Sequence, residues 1–268
     1  MKNPTMRRYR RCLSRIVEFL GFYPRGFIEN LIALPGFVRD MSSYRRMCPS
    51  GAFRIRLLDL FPILNDRKKA AGSAGGDYFH QDLWAARKIF QRRPERHIDI
   101  GSRMDGFIAH LLVFMSVTVI DIRALQSPLA GLTFFQDDAT ELRSFQADEI
   151  DSLSCLHAAE HFGLGRYSDP VDPNACFLFM SSLQRVLRPG GRLYFSLPIG
   201  RERVDFNAHR VFFPSTIMAA FARLSLVSFS YVDDAGSLHE NTDPAQTPDL
   251  EYGCGLFEFT KQGRLQSN

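Results

Sequence analysis

The 268-residue chain lacks several features that would narrow its chemistry at once. No uninterrupted apolar run reaches the roughly 18 residues needed to cross a bilayer. The basic start leads into no signal-peptide core with a small-residue cleavage site, so a cytoplasmic location is expected. The five cysteines, Cys12, Cys48, Cys155, Cys176 and Cys254, show neither CxxC nor Cys/His spacing. An odd set without such spacing points to reduced thiols and away from a disulfide framework or a zinc site, and no metal is expected. There is no internal repeat and no long low-complexity run.

The sequence does contain the makings of an ordinary globular core, with 45% hydrophobic and 23% charged residues. This favours one main domain with an accessory segment. The net charge is +4 and much of the excess sits early in the chain, which suits a local basic surface and not a nucleic-acid-binding body. In the opening segment Leu13, Ile16, Val17 and Leu20 share one helical face, while Arg7, Arg8, Arg10, Arg11 and Arg15 dominate the rest. Pro24 and Pro35 are expected to break it into short pieces. Such a segment packs as a cap with a solvated basic side or lies on an anionic membrane surface. A small-residue stretch, "NDRKKAAGSAGG", reads as a linker, giving a cap over residues 1–75 and a main domain over 76–268.

From Pro94 onward short apolar strands alternate with helices. Strands are expected at His97 to Ile100, Val117 to Asp121, Leu132 to Phe135, Glu149 to Leu156, Arg192 to Leu197, Leu226 to Val232 and Leu256 to Thr260. Helices are expected at "DYFHQDLWAARKIFQRR", "GFIAHLLVFM", "NACFLFMSSLQRVL" and "PSTIMAAFARL". The pattern predicts an α/β fold, a doubly wound, seven-stranded, mostly parallel sheet covered on both faces, with the last two strands as an antiparallel closing pair.

In such a sheet a ligand lies beyond the carboxyl ends of the strands, where the strand order reverses. The residues following the first four strands are polar or acidic: Asp99, Gly101 and Gly106; Asp121; Asp137, Asp138 and Ala139; His157, Glu160 and His161. Asp121, about 20 residues past the glycine turn, suits both hydroxyls of a ribose. Asp138 suits an exocyclic amine, although either it or Asp137 also reads as a turn residue. A dinucleotide would need G-x-G-x-x-G so that its pyrophosphate could approach the backbone. Here Ser102, Arg103, Met104 and Asp105 follow Gly101, and the next glycine is Gly106. The missing glycine argues against a phosphate-bearing cofactor.

The order of "HIDIGSRMDG", "VTVIDIR", "FQDDATEL", "IDSLSCLHAAEHFG" and "LQRVLRPGGRLYFSLP" resembles the class I S-adenosylmethionine-dependent methyltransferases. Helix, Arg-Pro-Gly-Gly turn and apolar strand make the last piece the most specific. The resemblance covers Tyr78 to about Thr260. The whole chain, including "FHQDLWAARKIF" and "DFNAHRVFFP", is similar to a methyltransferase-like domain-of-unknown-function family. The resemblance implies S-adenosylmethionine as cofactor, with the backbone of Gly101, Ser102 and Gly106 along its methionine part and Asp99 holding the loop or its amine. Asp121 and Ile122 would meet the ribose and Asp138 and Ala139 the adenine, while Cys155, His157 and the loop to Glu160 would wall the transfer centre. Arg103 would pair with the cofactor carboxylate and Asp105 with its ammonium group. Tyr78, Phe79, His80 and Gln81 fall where relatives fold a residue over the cofactor, although Phe79 and Trp84 read better as core on a helix face.

Methyl transfer requires alignment and, for a hydroxyl acceptor, removal of a proton. His161 or His209 is the expected base, with Glu160 orienting a histidine or a substrate hydroxyl. Arg201, Arg203 and Arg210 bracket the same loop, as holders of an anionic group or as surface residues. The expected reaction is O-methylation of a small or glycan-linked hydroxyl compound. The alternative is an inactive methyltransferase-like binding or scaffolding protein, peripheral to the membrane through its basic start.

Overall fold

The computed structural model describes residues 24–56, 60–64, 66, 72, 74–126 and 128–263. The chain forms two compact units, Met1–Ser73 and Ala74–Asn268. The amphipathic face at Leu13 to Leu20 and most of the small-residue stretch lie outside the described residues. In the first unit the helix α1 (Pro24–Met47) runs through Pro35, where a break is expected from sequence. Pro24 sits at the first helical position, where a missing N–H costs nothing. Pro35 deletes one backbone bond from a helix of 24 residues, and the turns on either side keep theirs. Among the described residues no helix is long and apolar enough to cross a membrane.

The second unit is built on one sheet. Its elements are helix α2 (Asp77–Arg92), β1 (His97–Ile100), a π-helical turn at Met104–Ile108 leading into α3 (Ala109–Leu112), β2 (Val117–Asp121), β3 (Leu132–Gln136) and β4 (Ile150–Leu156). There follow α4 (Ala175–Val186), β5 (Leu187–Ile199), the hairpin of β6 (Arg203–Asp205) and β7 (His209–Val211), α5 (Pro214–Ala220), β8 (Ser225–Val232), β9 (Leu238–His239) and β10 (Gly253–Thr260). The strand order is β3-β2-β1-β4-β5-β10-β8-β9. β1 to β5 pair in parallel, and β10 runs antiparallel between β5 and β8. The seven expected strands all form, and the two-residue β9 adds an eighth at the edge.

The period-two alternation of the strands feeds two cores, one on each face. Leu193, Phe195 and Leu197 of β5 and Phe257 and Phe259 of β10 join Phe179 of α4 and Ile217 of α5 on one side. Tyr194 and Leu256 point to the other, with Trp84 and Ile89 of α2 and Phe107 and Leu111. Each fully buried large side chain of this kind contributes about 2–3 kcal/mol. α2 ends where Arg93 turns left-handed (φ 51°) before Pro94 and returns its N–H to Ile89.

Two details depart from the sequence reading. The Arg-Pro-Gly-Gly turn is absorbed into β5, which starts at Leu187. The register jumps from Ile150↔Leu187 to Ser152↔Arg192, so the extra residues form a bulge with Gly190 at φ 76°. Within this unit no helix is described after β2 or β3, so the β1–β3 edge is less covered than expected. A cavity of about 560 Å³ opens there beside Ile98, Ile120, Phe135 and Phe145, and Phe135 is exposed.

Candidate active site

Strand order reverses between β1 and β4, and the corner after β1 is held from beneath. Asp99 is fully buried and accepts from the Ser102 backbone N–H (3.0 Å), Ser102 Oγ (2.6 Å) and Ser154 Oγ (2.5 Å). Ser154 gives its one proton to Asp99, so His97 Nε2 donates to Ser154 Oγ at 2.9 Å, and Nδ1 accepts from Ser152 Oγ at 2.8 Å. Burial keeps His97 neutral, lowering its pKa to about 3, and raises Asp99 to about 6 against the pull of its donors. Ser102 Oγ in turn accepts from Leu156 N–H at 3.1 Å. Asp99 and Ser102 therefore fasten the β1 loop to β4.

The two glycines of this loop serve different purposes. Gly101 has φ 71°, and a Cβ there would lie 2.9 Å from that of Ala158, so only glycine lets the loop pass the one that follows β4. A Cβ on Gly106 would collide with the Asp82 carboxylate of α2. Gly106 is thus a packing glycine between the π-helical turn and α2. Arg103 and Asp105, assigned from sequence to opposite ends of the cofactor, bond to each other (Nε–Oδ1 3.1 Å, Nη2–Oδ2 2.9 Å) with both side chains more than half exposed. The Arg103 guanidinium also lies 4.8 Å from the Tyr78 ring.

A cavity of about 450 Å³ opens over the carboxyl ends of β1, β2 and β4 and the loop after β3. Gly101, Asp121, Ile122, Asp138, Ala139 and His157 line it; Asp99, Ser102, Arg103, Asp105, Gly106 and Cys155 do not. Asp121 already holds a partner. Arg123 donates to it from its backbone N (2.8 Å), Nε (2.9 Å) and Nη2 (2.5 Å), and the same guanidinium lies 4.7 Å from the Tyr167 ring. Asp138 Oδ1 accepts from the Thr140 backbone and hydroxyl at 2.9 and 2.6 Å, which leaves Oδ2 to face a ligand. Cys155 is fully buried inside β4, and burial raises its thiol well above the ordinary range.

The loop after β4 gathers three titratable groups. His157 is buried with a left-handed backbone (φ 51°), an uncommon conformation for a residue with a side chain. Its Nε2 lies 3.2 Å from Cys254 Sγ and its Nδ1 3.4 Å from Glu160 Oε1. Glu160 Oε1 is also 3.6 Å from His161 Nε2, and Glu160 Oε2 is buried with no hydrogen-bond partner. Burial raises Glu160 to about 8 and lowers His157 to about 3. His161 is lowered as well, by burial and then by Arg166, to about 4. His161 Nδ1 lies 2.6 Å from the Ala208 carbonyl and must donate to it, so Nε2 carries the lone pair.

His161 lines the cavity; Glu160 and His209 do not. His209, on the β6–β7 hairpin, has Nε2 3.3 Å from Asp205 Oδ2 and its ring 5.0 Å from Tyr252. The hairpin instead contributes the Ala208 carbonyl. Arg210 is buried, and its guanidinium donates to the carbonyls of Phe162 (2.6 Å), Glu160 (3.4 Å) and Pro173 (3.4 Å). It shapes the loop from within and is neither a surface residue nor an anion holder. Arg203 is occupied by Asp205 and the carbonyls of Arg201 and Glu251. The Tyr78 ring lies tilted against that of His157 at 5.2 Å, Gln81 is buried and accepts from Ser196 Oγ at 2.6 Å, and Trp84 is core while Phe79 is exposed. Sequence reasoning missed Arg123, Arg166 and Tyr167. The run Asp-Ile-Arg at the end of β2 held the signal for the first, an opposite charge two residues past a strand end.

Residues 122–242 match a family model described as "Caenorhabditis protein of unknown function, DUF268". That is less than half of the chain. No curated protein matches. Similar solved structures include the 1,6-didemethyltoxoflavin-N1-methyltransferase of Burkholderia thailandensis, with S-adenosylhomocysteine bound, at 17% identity and TM-score 0.46, covering 68% of this chain and 79% of that one. YcgJ of Bacillus subtilis is 15% identical with TM-score 0.48, covering 69% and 99%. An S-adenosylmethionine-dependent methyltransferase of Clostridium acetobutylicum is 11% identical with TM-score 0.46, covering 70% and 93%. The functional reading therefore rests on this chain's own residues.

Proposed function

We propose that the chain is an S-adenosylmethionine-dependent methyltransferase acting on a hydroxyl group of a small or glycan-linked compound. The observation that carries the reading is the convergence of Gly101, Asp121, Asp138, Ala139 and His161 on one cavity of about 450 Å³ at the strand-order reversal, a size and place suited to a nucleoside-bearing ligand. The residues fit the group. Asp121 would take the ribose hydroxyls once Arg123 leaves it, Asp138 Oδ2 the adenine amine, and the backbone at Gly101 the amino-acid part. When bound, S-adenosylmethionine supplies an electrophilic methyl on a sulfonium.

The protein's share of the chemistry is alignment and proton removal. His161 Nε2, with its lone pair fixed by the Nδ1–H bond to Ala208, accepts the hydroxyl proton as the oxygen attacks. Glu160, whose Oε1 lies 3.6 Å from the same Nε2, offsets the imidazolium charge once ionised, which makes it a positioning residue. Mass spectrometry of the purified protein for co-purified S-adenosylhomocysteine, with calorimetric titration of that compound, tests the reading. Binding in the micromolar range is expected, and no binding by either method overturns it. The Arg123 guanidinium seated on Asp121 is the observation that favours the second reading, a non-catalytic binding protein. That reading predicts the same failure to bind.

A further inference from the structure

The first unit carries a feature that cofactor chemistry leaves unused. Along α1, Phe27, Leu31, Leu34 and Val38 recur at i, i+4, i+7 and i+11, one line down a helix. They are 61%, 60%, 44% and 45% exposed, and Ile28 and Ile32 beside them are 57% and 68% exposed. A soluble helix ordinarily turns such a face inward; isolated exposed apolar side chains need no explanation, but a continuous line of them does. Arg45 continues the same line at i+18, and Arg46 is exposed beside it.

The charge of the chain is sharply segregated. Residues 1–56 hold twelve lysines and arginines against three acidic residues, and the remaining 212 hold twenty-one against twenty-six. An apolar partner protein would satisfy the stripe but would give no reason for the concentration of positive charge in the same stretch of sequence. A bilayer with anionic headgroups satisfies both, because a helix lying in the interface buries its apolar line among the acyl chains while arginines stay at headgroup level.

We infer that α1 docks this protein in the plane of an anionic membrane surface, with Phe27, Leu31, Leu34 and Val38 inserted and Arg45 and Arg46 on the phosphates. The inference is independent of the methyltransferase reading. Flotation of the full chain with vesicles tests it. The chain is expected to rise with phosphatidylcholine vesicles containing phosphatidylglycerol, to stay down with pure phosphatidylcholine, and to be released by salt. Leu31→Gln with Leu34→Gln, and separately Arg45→Glu with Arg46→Glu, are each expected to weaken vesicle binding about tenfold or more. All of these residues are exposed, and an unchanged circular dichroism spectrum checks that the variants fold. Equal binding to neutral vesicles, no binding to anionic ones, or variants that bind like the parent would overturn it. So would sedimentation showing a dimer that Leu31→Gln with Leu34→Gln dissociates, without vesicle binding.

Discussion

Asp99 and Glu160 are both buried carboxyl groups just past the switch point of the sheet, one on β1 and one in the loop after β4. Burial raises the pKa of each. Their surroundings differ in kind. Asp99 is met by three short hydrogen bonds and, through Ser154, by a histidine whose tautomer the network fixes. Glu160 has histidine nitrogens at 3.4 and 3.6 Å, beyond good hydrogen-bond length, and an oxygen with no partner. A satisfied buried carboxylate holds structure together; an unsatisfied one costs stability and persists where a ligand or a reaction uses it. The β1 side of the cavity is therefore the rigid wall, and the β4 side holds a buried carboxyl oxygen without a hydrogen-bond partner.

Removing the saturated carboxylate is expected to give the largest effect. Asp99→Ala leaves Ser102, Ser154 and the Ser102 N–H without their acceptor in a dry interior and is expected to cost on the order of 3–5 kcal/mol. In a chain of this size that lowers Tm by roughly 10 °C, which calorimetry reads directly. A drop of one or two degrees would mean that Asp99 is not the fastening it is taken to be. Glu160→Gln separates the two carboxyls further, because on the methyltransferase reading it should slow methyl transfer while it steadies the fold. A buried acid whose pKa rises from 4.5 to about 8 binds its proton more tightly folded than unfolded. Stability consequently falls as pH climbs between those values, and the amide removes the fall, a gain of a few kcal/mol at most at pH 8. Methyl transfer is expected to drop between about tenfold and a hundredfold. The parent's kcat/KM should rise as Glu160 ionises near pH 8, and the variant should lack that limb. A variant with the parent's pH profile would relieve Glu160 of any part in proton transfer.

These differences show how far the residues could be read before the fold was known. The strands, their parallel run and the closing antiparallel pair follow from period-two apolar runs, because each strand of this sheet is buried on one or both faces and the pattern is local. The placing of Asp121, Asp138 and His161 on the cavity was legible for the same reason, since each stands at or shortly after the carboxyl end of a strand. Glu160 stood in plain sight, but its orphaned oxygen is a fact about three dimensions. The roles of Gly106 and Arg210 were unreadable from neighbours in sequence: one is set by Asp82 on a preceding helix, the other by carbonyls some 40 to 50 positions away. Pro35 misled because the usual breaker is tolerated when the turns around it are long enough.

The smaller effects are expected on the rigid side, where on the methyltransferase reading ligand and protein compete for one carboxylate. Asp121→Asn keeps the volume but replaces one acceptor oxygen with a donor, so it can no longer accept from both ribose hydroxyls. S-adenosylhomocysteine affinity by calorimetry is expected to fall about tenfold to thirtyfold, the worth of one charge-assisted hydrogen bond. Arg123→Ala should move the other way. In the structure three donors of Arg123 occupy Asp121, and a ribose must displace at least the two from the guanidinium. The arginine side of that pair is 53% exposed but the Asp121 side chain only 11%, and the guanidinium already rests on the Tyr167 ring. Its displacement therefore costs about 1 kcal/mol, the upper end of the range for exposed ion pairs. The expected gain in affinity is accordingly a few-fold and greatest at low salt, where the ion pair it removes is strongest. If Arg123→Ala instead weakens binding, the arginine is part of the ligand site and not its competitor, and the carboxylate-only account of the rigid wall fails with it.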